Sequence, residues 1–483
     1  MSEIFSSPKG SVSQRLLKGT FITFIGFILL KALRFILVPL YTRYLSPEDY
    51  GILGVFLPLI ELLVMIGTLG LNSSITFFLF EYRNEENKYK NLLSTVFLIN
   101  LFFSTIIGII FYFSSPLFYK FFFKNNIENS NSYILLVIFI ILLYIPQQIV
   151  LSLLQAREKR LEIAIISILN FLILFALLFY QLVIKKSGAF GQILSVFYQN
   201  ILLFLPFFLY LLFIIGKKFY FSFNLLKEAL SYSLPLLPHG LSLWVLNLSD
   251  RLILSKYSGL AETGYYTFAY TCGLVMYAFV TGMQAVWGPV FFDVRKNNKD
   301  SANILGAQAS HWSLLLGIIA GIGIFFTPEF VKIIASKKYW VATPYIIPVI
   351  LGYFFLGIYT FPGLILQQMR KNAIVSLCTI FAATLNIISN LIFVPKYGAI
   401  AASWATAGAF CLLAILYYIF GMRLNPINII WKEFILAILI PLVSMPLSLL
   451  SFKLKIIIFL FLAIISIKFG FLNLCKRAVK KFL

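Results

Sequence analysis

The sequence predicts an all-α polytopic membrane protein. About fourteen transmembrane helices are expected, as two six-helix pseudo-repeats (an N-lobe and a C-lobe) around a central cavity, followed by two further helices. Three observations predict this. Apolar runs recur from Leu16 to Phe471, and about 20 residues suffice to cross a bilayer. Hydrophobic residues make up 61% of the chain and charged residues only 12%, where a soluble domain carries about one quarter. Short motifs of the first half also recur, in order, in the second.

In chain order the spans are expected at about 16–41, 50–75, 91–113, 133–154, 161–184, 190–215, 232–254, 264–288, 303–326, 344–366, 372–394, 398–420, 433–450 and 454–472. Lys and Arg test the alternation. On this threading 23 lie on the side that holds both termini and 11 on the other, with Lys31, Arg34, Arg251, Lys332 and Lys468 within or beside spans. Positive loops stay cytoplasmic, so both termini are expected inside. The net charge of +22 is read as orientation information rather than a nucleic-acid surface, because no soluble basic domain presents it. The longest outer loop is expected from Ser114 to Ser132, too short for a catalytic domain. No cleavable signal peptide is evident, because the first apolar run is long enough to remain as a span.

The internal repeat rests on three alignments. Arg43-Tyr44-Leu45-Ser46-Pro47-Glu48-Asp49-Tyr50-Gly51 matches Lys256-Tyr257-Ser258-Gly259-Leu260-Ala261-Glu262-Thr263-Gly264, 213 residues later. Gln155-Ala156-Arg157 matches Gln368-Met369-Arg370 at the same offset, and Lys186-Ser187-Gly188-Ala189 matches Lys396-Tyr397-Gly398-Ala399 at 210. Six spans per repeat give both copies the same orientation, hence an axis along the membrane normal and cargo between the two bundles. The expected domains are residues 1–215, a cytoplasmic linker 216–230, a second bundle 231–422, and 423–483 with two extra spans and a basic tail.

Charges inside a span usually face a protein interior or a watery cavity. In the first span Thr20, Thr23, Lys31 and Arg34 fall within about 80° on a helical wheel. Lys31 lies about 15 Å and Arg34 about 10 Å along the axis from Tyr41; Glu61 lies about 16 Å from Tyr50. Lys31 and Arg34 can attract a phosphate or diphosphate, to which the arginine fork binds bidentately. Glu61 suits a proton or sodium site or a gate. The plainer alternative is a buried ion pair joining the first two spans.

The seventh span contains Pro235, Pro238 and Gly240 and should bend or break, exposing backbone to a cavity. His239, Ser242 and Asp250 share one face. Asp250 and Arg251 are either an interfacial pair that fixes the corner or an outer gate or coupling site; His239 is either a packed polar residue or a proton relay. Gln147, Gln148, Asn170, Gln192, Asn200, Gln284, Asn386 and Asn390 suit sugar hydroxyls, or equally hydrogen-bond neighbouring helices. Two histidines and the cysteines Cys272, Cys378, Cys411 and Cys475 form no metal spacing, so neither metal nor cofactor is expected. No phosphate loop or nucleophile elbow is present. A non-enzymatic transporter would then be driven by a proton or sodium gradient, or by a downstream pull.

Val38-Pro39-Leu40-Tyr41-Thr42-Arg43-Tyr44-Leu45-Ser46-Pro47-Glu48-Asp49-Tyr50-Gly51 resembles the first corner of the Wzx-type polysaccharide flippases. Ser249-Asp250-Arg251 followed by Gly264-Tyr265-Tyr266 resembles the start of their second half, and Gly398-Ala399-Ile400-Ala401-Ala402-Ser403-Trp404-Ala405-Thr406 their twelfth span. The similarity runs over about residues 10 to 420. It implies the multidrug/oligosaccharidyl-lipid/polysaccharide exporter superfamily and a bacterial inner-membrane protein. The implied activity is alternating-access flipping of polyprenyl-diphosphate-linked oligosaccharide for O-antigen or capsule, beside a polysaccharide polymerase and chain-length regulator. Three other readings remain: a lipid II flippase, a drug or cation extruder of the same superfamily, and, from another class, a membrane polysaccharide polymerase or ligase.

Overall fold

Apolar sequence in lipid must satisfy its backbone internally, and a helix does so within one segment. The computed structural model follows that rule. It describes residues 35–458, apart from 83, 125, 126, 128, 158, 217 and 370. Lys31 and Arg34 therefore lie outside the described residues, as do most of the first and last expected spans. Among the described residues eight helices are long and apolar enough to cross a membrane.

The first half contains α1 (Pro47–Gly67), α2 (Asn72–Glu81), α3 (Glu86–Phe122), α4 (Ser130–Leu143), α5 (Ile145–Ala156), α6 (Arg160–Leu178, continued by a π turn Phe179–Ile184) and α7 (Gly188–Ile215). Then follow α8 (Phe223–Ser233), α9 (Leu237–Leu248), α10 (Asp250–Tyr257) and α11 (Leu260–Asn297). The last part holds α12 (Ser301–Phe325), α13 (Thr327–Ile334), α14 (Thr343–Ile358), α15 (Thr360–Gln368), α16 (Asn372–Leu424) and α17 (Trp431–Leu447).

Several stretches differ from the sequence expectation. The outer loop from Ser114 is far shorter, because α3 continues to Phe122 through Pro116. Within 216–230 a helix begins at Phe223, capped by the Ser222 hydroxyl. Its buried residues Leu225, Leu226 and Ala229 share one face and join a core with α2, α3, α5 and α7, and Tyr82 donates a hydrogen bond to Glu228 on another. The second and fourth spans are each interrupted, at Thr68–Leu71 and at Tyr144. The expected break in the seventh span is present as a 3₁₀ turn, Leu234–Leu236, between α8 and α9.

The chain divides into two units. One holds Leu40–Thr267 and Thr379–Ala402; the other includes Phe268–Cys378 and the described residues from Ser403 to 458. In the second unit α12 and α17 approach along a glycine face. A Cβ at Gly306 would overlap the Asn428 backbone, and one at Gly317 the Ala437 carbonyl oxygen. Such small-residue seams let helices meet where lipid offers no hydrophobic drive. Fully buried Lys455 closes this unit with a bidentate contact to Glu329 at 2.8 and 2.9 Å.

The first unit contains both corner motifs of the repeat, and they make the same lock. Asp49 Oδ1 accepts from the Ala189 N–H at 3.0 Å, and Glu262 Oε1 from the Ala399 N–H at 3.1 Å. The residues before those alanines, Gly188 (φ 57°) and Gly398 (φ 59°), sit in the left-handed region that aims the following N–H at the carboxylate. The two corner helices also pack reciprocally. A Cβ at Gly51 would overlap the Leu260 carbonyl, and one at Gly264 would overlap the Pro47 carbonyl. Each contact maps onto the other by the 213-residue offset.

Candidate functional site

The helix beside the first corner carries Glu61. In α1 the face at Pro58, Glu61 and Met65 is one stripe by helical spacing. α9 crosses that stripe: the Trp244 indole N–H donates to the Pro58 carbonyl at 3.0 Å, and Gly240 lies against the Met65 sulfur. Glu61 is exposed on this stripe. A carboxylate eleven residues inside an apolar helix is costly against lipid, so this stripe suits a protein interior or a polar path. His239, one residue before Gly240, is half-buried, and its Nδ1 has no hydrogen-bond partner among the described residues. The neighbouring Ser242 hydroxyl donates to the Pro238 carbonyl at 2.8 Å, satisfying an oxygen next to the helix break.

Asp250 opens α10 and is wholly buried. The Tyr266 hydroxyl donates to its Oδ2, and the Asn390 amide donates to its Oδ1 at 2.7 Å. Asn390 also donates to Asn386 Oδ1 at 3.3 Å. Three helices, α10, α11 and α16, thus converge on one carboxylate. Arg251 is also buried; its guanidinium donates to the Asn247 carbonyl at 2.8 Å and lies 5.6 Å from the Tyr266 ring centre. A buried acid needs such partners, since an ion taken from water without compensation loses several kcal/mol. The arrangement can hold a carboxylate, a carboxylic acid, or a carboxylate with a small cation, with hydrogen bonds redistributed among Tyr266, Asn386 and Asn390.

The sequence-derived residues that are described have different neighbours. Glu61 and the Gly240 turn are neighbours across α1 and α9, whereas Asp250 sits with Tyr266 and Asn390. Tyr266 was missed as a partner; its signal was the polar ring two residues beyond the corner glycine Gly264. Among the described residues no group of three His, Cys, Asp or Glu side chains could hold a metal ion.

The apolar helices together define a multi-pass membrane protein. The structure of the lipid II flippase MurJ in an inward closed conformation is similar at a TM-score of 0.71 and 20% identity, over 95% of this chain and 99% of that one. An inward-facing multidrug resistance MATE family transporter is similar at a TM-score of 0.63 and 14% identity, over 84% and 98%. An uncharacterized membrane protein of Methanocaldococcus jannaschii is 21% identical over 90% of this chain and 89% of its own. Residues 16–295, more than half of the chain, match the family described as polysaccharide biosynthesis protein. The chain belongs to that family.

Proposed function

We propose that this protein flips polyprenyl-diphosphate-linked oligosaccharide repeat units across the cytoplasmic (inner) membrane by alternating access, for O-antigen, capsule or a related surface polysaccharide, with both termini cytoplasmic. It acts as a transporter, not an enzyme, and hands its cargo to a polysaccharide polymerase and chain-length regulator. Lys31 and Arg34 hold the diphosphate. Glu61 faces the water-lined path and gates it, with His239 beside the helix break. Asp250, steadied by Tyr266 and Asn390 and flanked by Arg251, takes up the coupling proton or sodium ion.

The observation that carries the reading is exposed Glu61 at mid-span against the broken seventh span. It supports a polar route through a helical bundle of the polysaccharide biosynthesis family. Two described acids, Glu61 and Asp250, also favour a second reading, an extruder of cationic compounds. The likeness to a lipid II flippase keeps a peptidoglycan precursor as a third cargo.

Flipping in proteoliposomes separates these readings. The cargo is placed in one leaflet and its appearance to an external lectin or hydrolase is followed. Wild type should flip the oligosaccharide cargo; Arg34→Ala and Lys31→Ala should lower the rate about tenfold or more. Asp250→Asn should abolish the response to an imposed proton or sodium gradient. Transport of a cationic dye with no oligosaccharide flipping would favour the extruder. Selective flipping of lipid II would favour the peptidoglycan precursor.

A further inference from the structure

Two interrupted spans of the first unit, the second and the fourth, meet in an uncharged polar cluster. After α1 ends at Gly67 the chain passes through Leu69 (φ 50°) and Gly70 (φ 66°) before α2 starts at Asn72. The fourth span breaks at Tyr144, ahead of Pro146, and Gln148 follows one turn later. Asn72 donates from Nδ2 to Gln148 Oε1 at 2.7 Å, and Asn100 on α3 donates to Asn72 Oδ1 at 3.4 Å. Asn72 and Gln148 are half exposed, while Asn100 is fully buried. Next to Asn72, the Ser73 hydroxyl lies 3.4 Å from that of Ser233. One turn on, the rings of Phe77 and Tyr232 stack at 4.3 Å and 21°, with Phe77 43% exposed.

Helix–helix adhesion accounts for part of this cluster, since carboxamides commonly bridge membrane helices. It leaves two features unexplained. The buried Asn100 Oδ1 has no hydrogen-bond partner among the described residues, whereas buried polar atoms nearly always have one. The other two carboxamides, Asn72 and Gln148, remain partly exposed beside it. Every named side chain is uncharged, so the cluster suits neither a phosphate nor a cationic drug. Carboxamides pair donor with acceptor, as sugar hydroxyl and acetamido groups require, and an exposed ring face takes the C–H face of a pyranose. On the expected threading Asn72, Gln148 and Tyr232 all lie toward the cytoplasmic ends of their spans.

We propose that Asn72, Gln148 and the Phe77–Tyr232 pair, backed by buried Asn100, form a subsite for uncharged sugar units of the cargo. The proposal rests on the oligosaccharide reading above. It divides the cargo by chemistry: cations take the diphosphate, and this neutral cluster takes the glycan.

The test uses full-length protein in proteoliposomes with two cargoes, a polyprenyl diphosphate bearing one sugar and one bearing a whole repeat unit. For Asn72→Ala and Gln148→Ala the apparent KM for the longer glycan should rise about tenfold, the cost of one or two lost hydrogen bonds. The one-sugar cargo should change by less than about twofold. Phe77→Leu removes the exposed ring without touching the carboxamides, and should give the same selective loss even if the polar variants fold poorly. Equal loss for both cargoes, in Phe77→Leu as well, would mark the cluster as structural and overturn the subsite, as would no change in either. Wild type that flips neither cargo would overturn the oligosaccharide reading itself, and the subsite with it.

Discussion

The two corners of the first unit have the same geometry and different chemistry. Each is locked by a carboxylate on the N–H that follows a left-handed glycine, and each presents a corner glycine to the other's carbonyl. Yet Asp49 also closes a capping box with Ser46, while the second corner enters its helix from Gly259 (φ 90°) and uses the longer Glu262. The contrast grows one helix earlier. At the 213-residue offset Asp250 corresponds to Leu37, Arg251 to Val38 and Tyr266 to Leu53, all three buried and apolar. A repeat therefore keeps what its backbone contacts demand and diverges where side chains face a private environment.

The sharpest way to break this comparison is at the glycines. Gly264→Ala and Gly51→Ala should each lower stability by about 3 kcal/mol, because the added methyl meets backbone that cannot yield. Unfolding midpoints in mild detergent should fall by similar amounts in both; a one-sided response would end the reciprocity. Next in size is Asp250→Leu, which copies the first repeat's residue. It removes the acceptor used by buried Tyr266 and Asn390 and should cost about 2 kcal/mol. Asp250→Asn should fold near wild type, which thermal unfolding of both variants would separate.

The carboxylate locks come next. Asp49→Ala removes both a cap and a lock and should cost about 1.5 kcal/mol, Glu262→Ala about 1 kcal/mol. Equal losses would mean that the capping box adds nothing. Smallest is Trp244→Phe, which keeps the ring but deletes the hydrogen bond to Pro58, for about 1 kcal/mol or less. If α9 is instead held by that bond, the variant should unfold far earlier in the same assay.

Much of this arrangement was legible in sequence. The corner motifs, their offset and the break at Pro235 and Pro238 all depend on local residues, and each is present. The breaks at Leu69 and Tyr144 were not legible. Pro146 tolerates the first turn of a helix as readily as it ends one, and leucine seldom takes positive φ. Asn72 and Asn100 stand in no motif, although Gln148, the hydrogen-bond partner of Asn72, reads as polar within a span.

The sequence by itself determined the membrane solvent, the all-helical class and the corner motifs. Those follow from hydropathy, helical spacing and local backbone preference, which act over a few residues. Only the tertiary structure decided which polar faces meet. Asp250 finds Asn390 140 residues away, and Asn72 finds Gln148 across 76. Helical periodicity tells which side of a helix is polar, but the partner is chosen by how the helices pack, and that choice is made across the whole bundle at once.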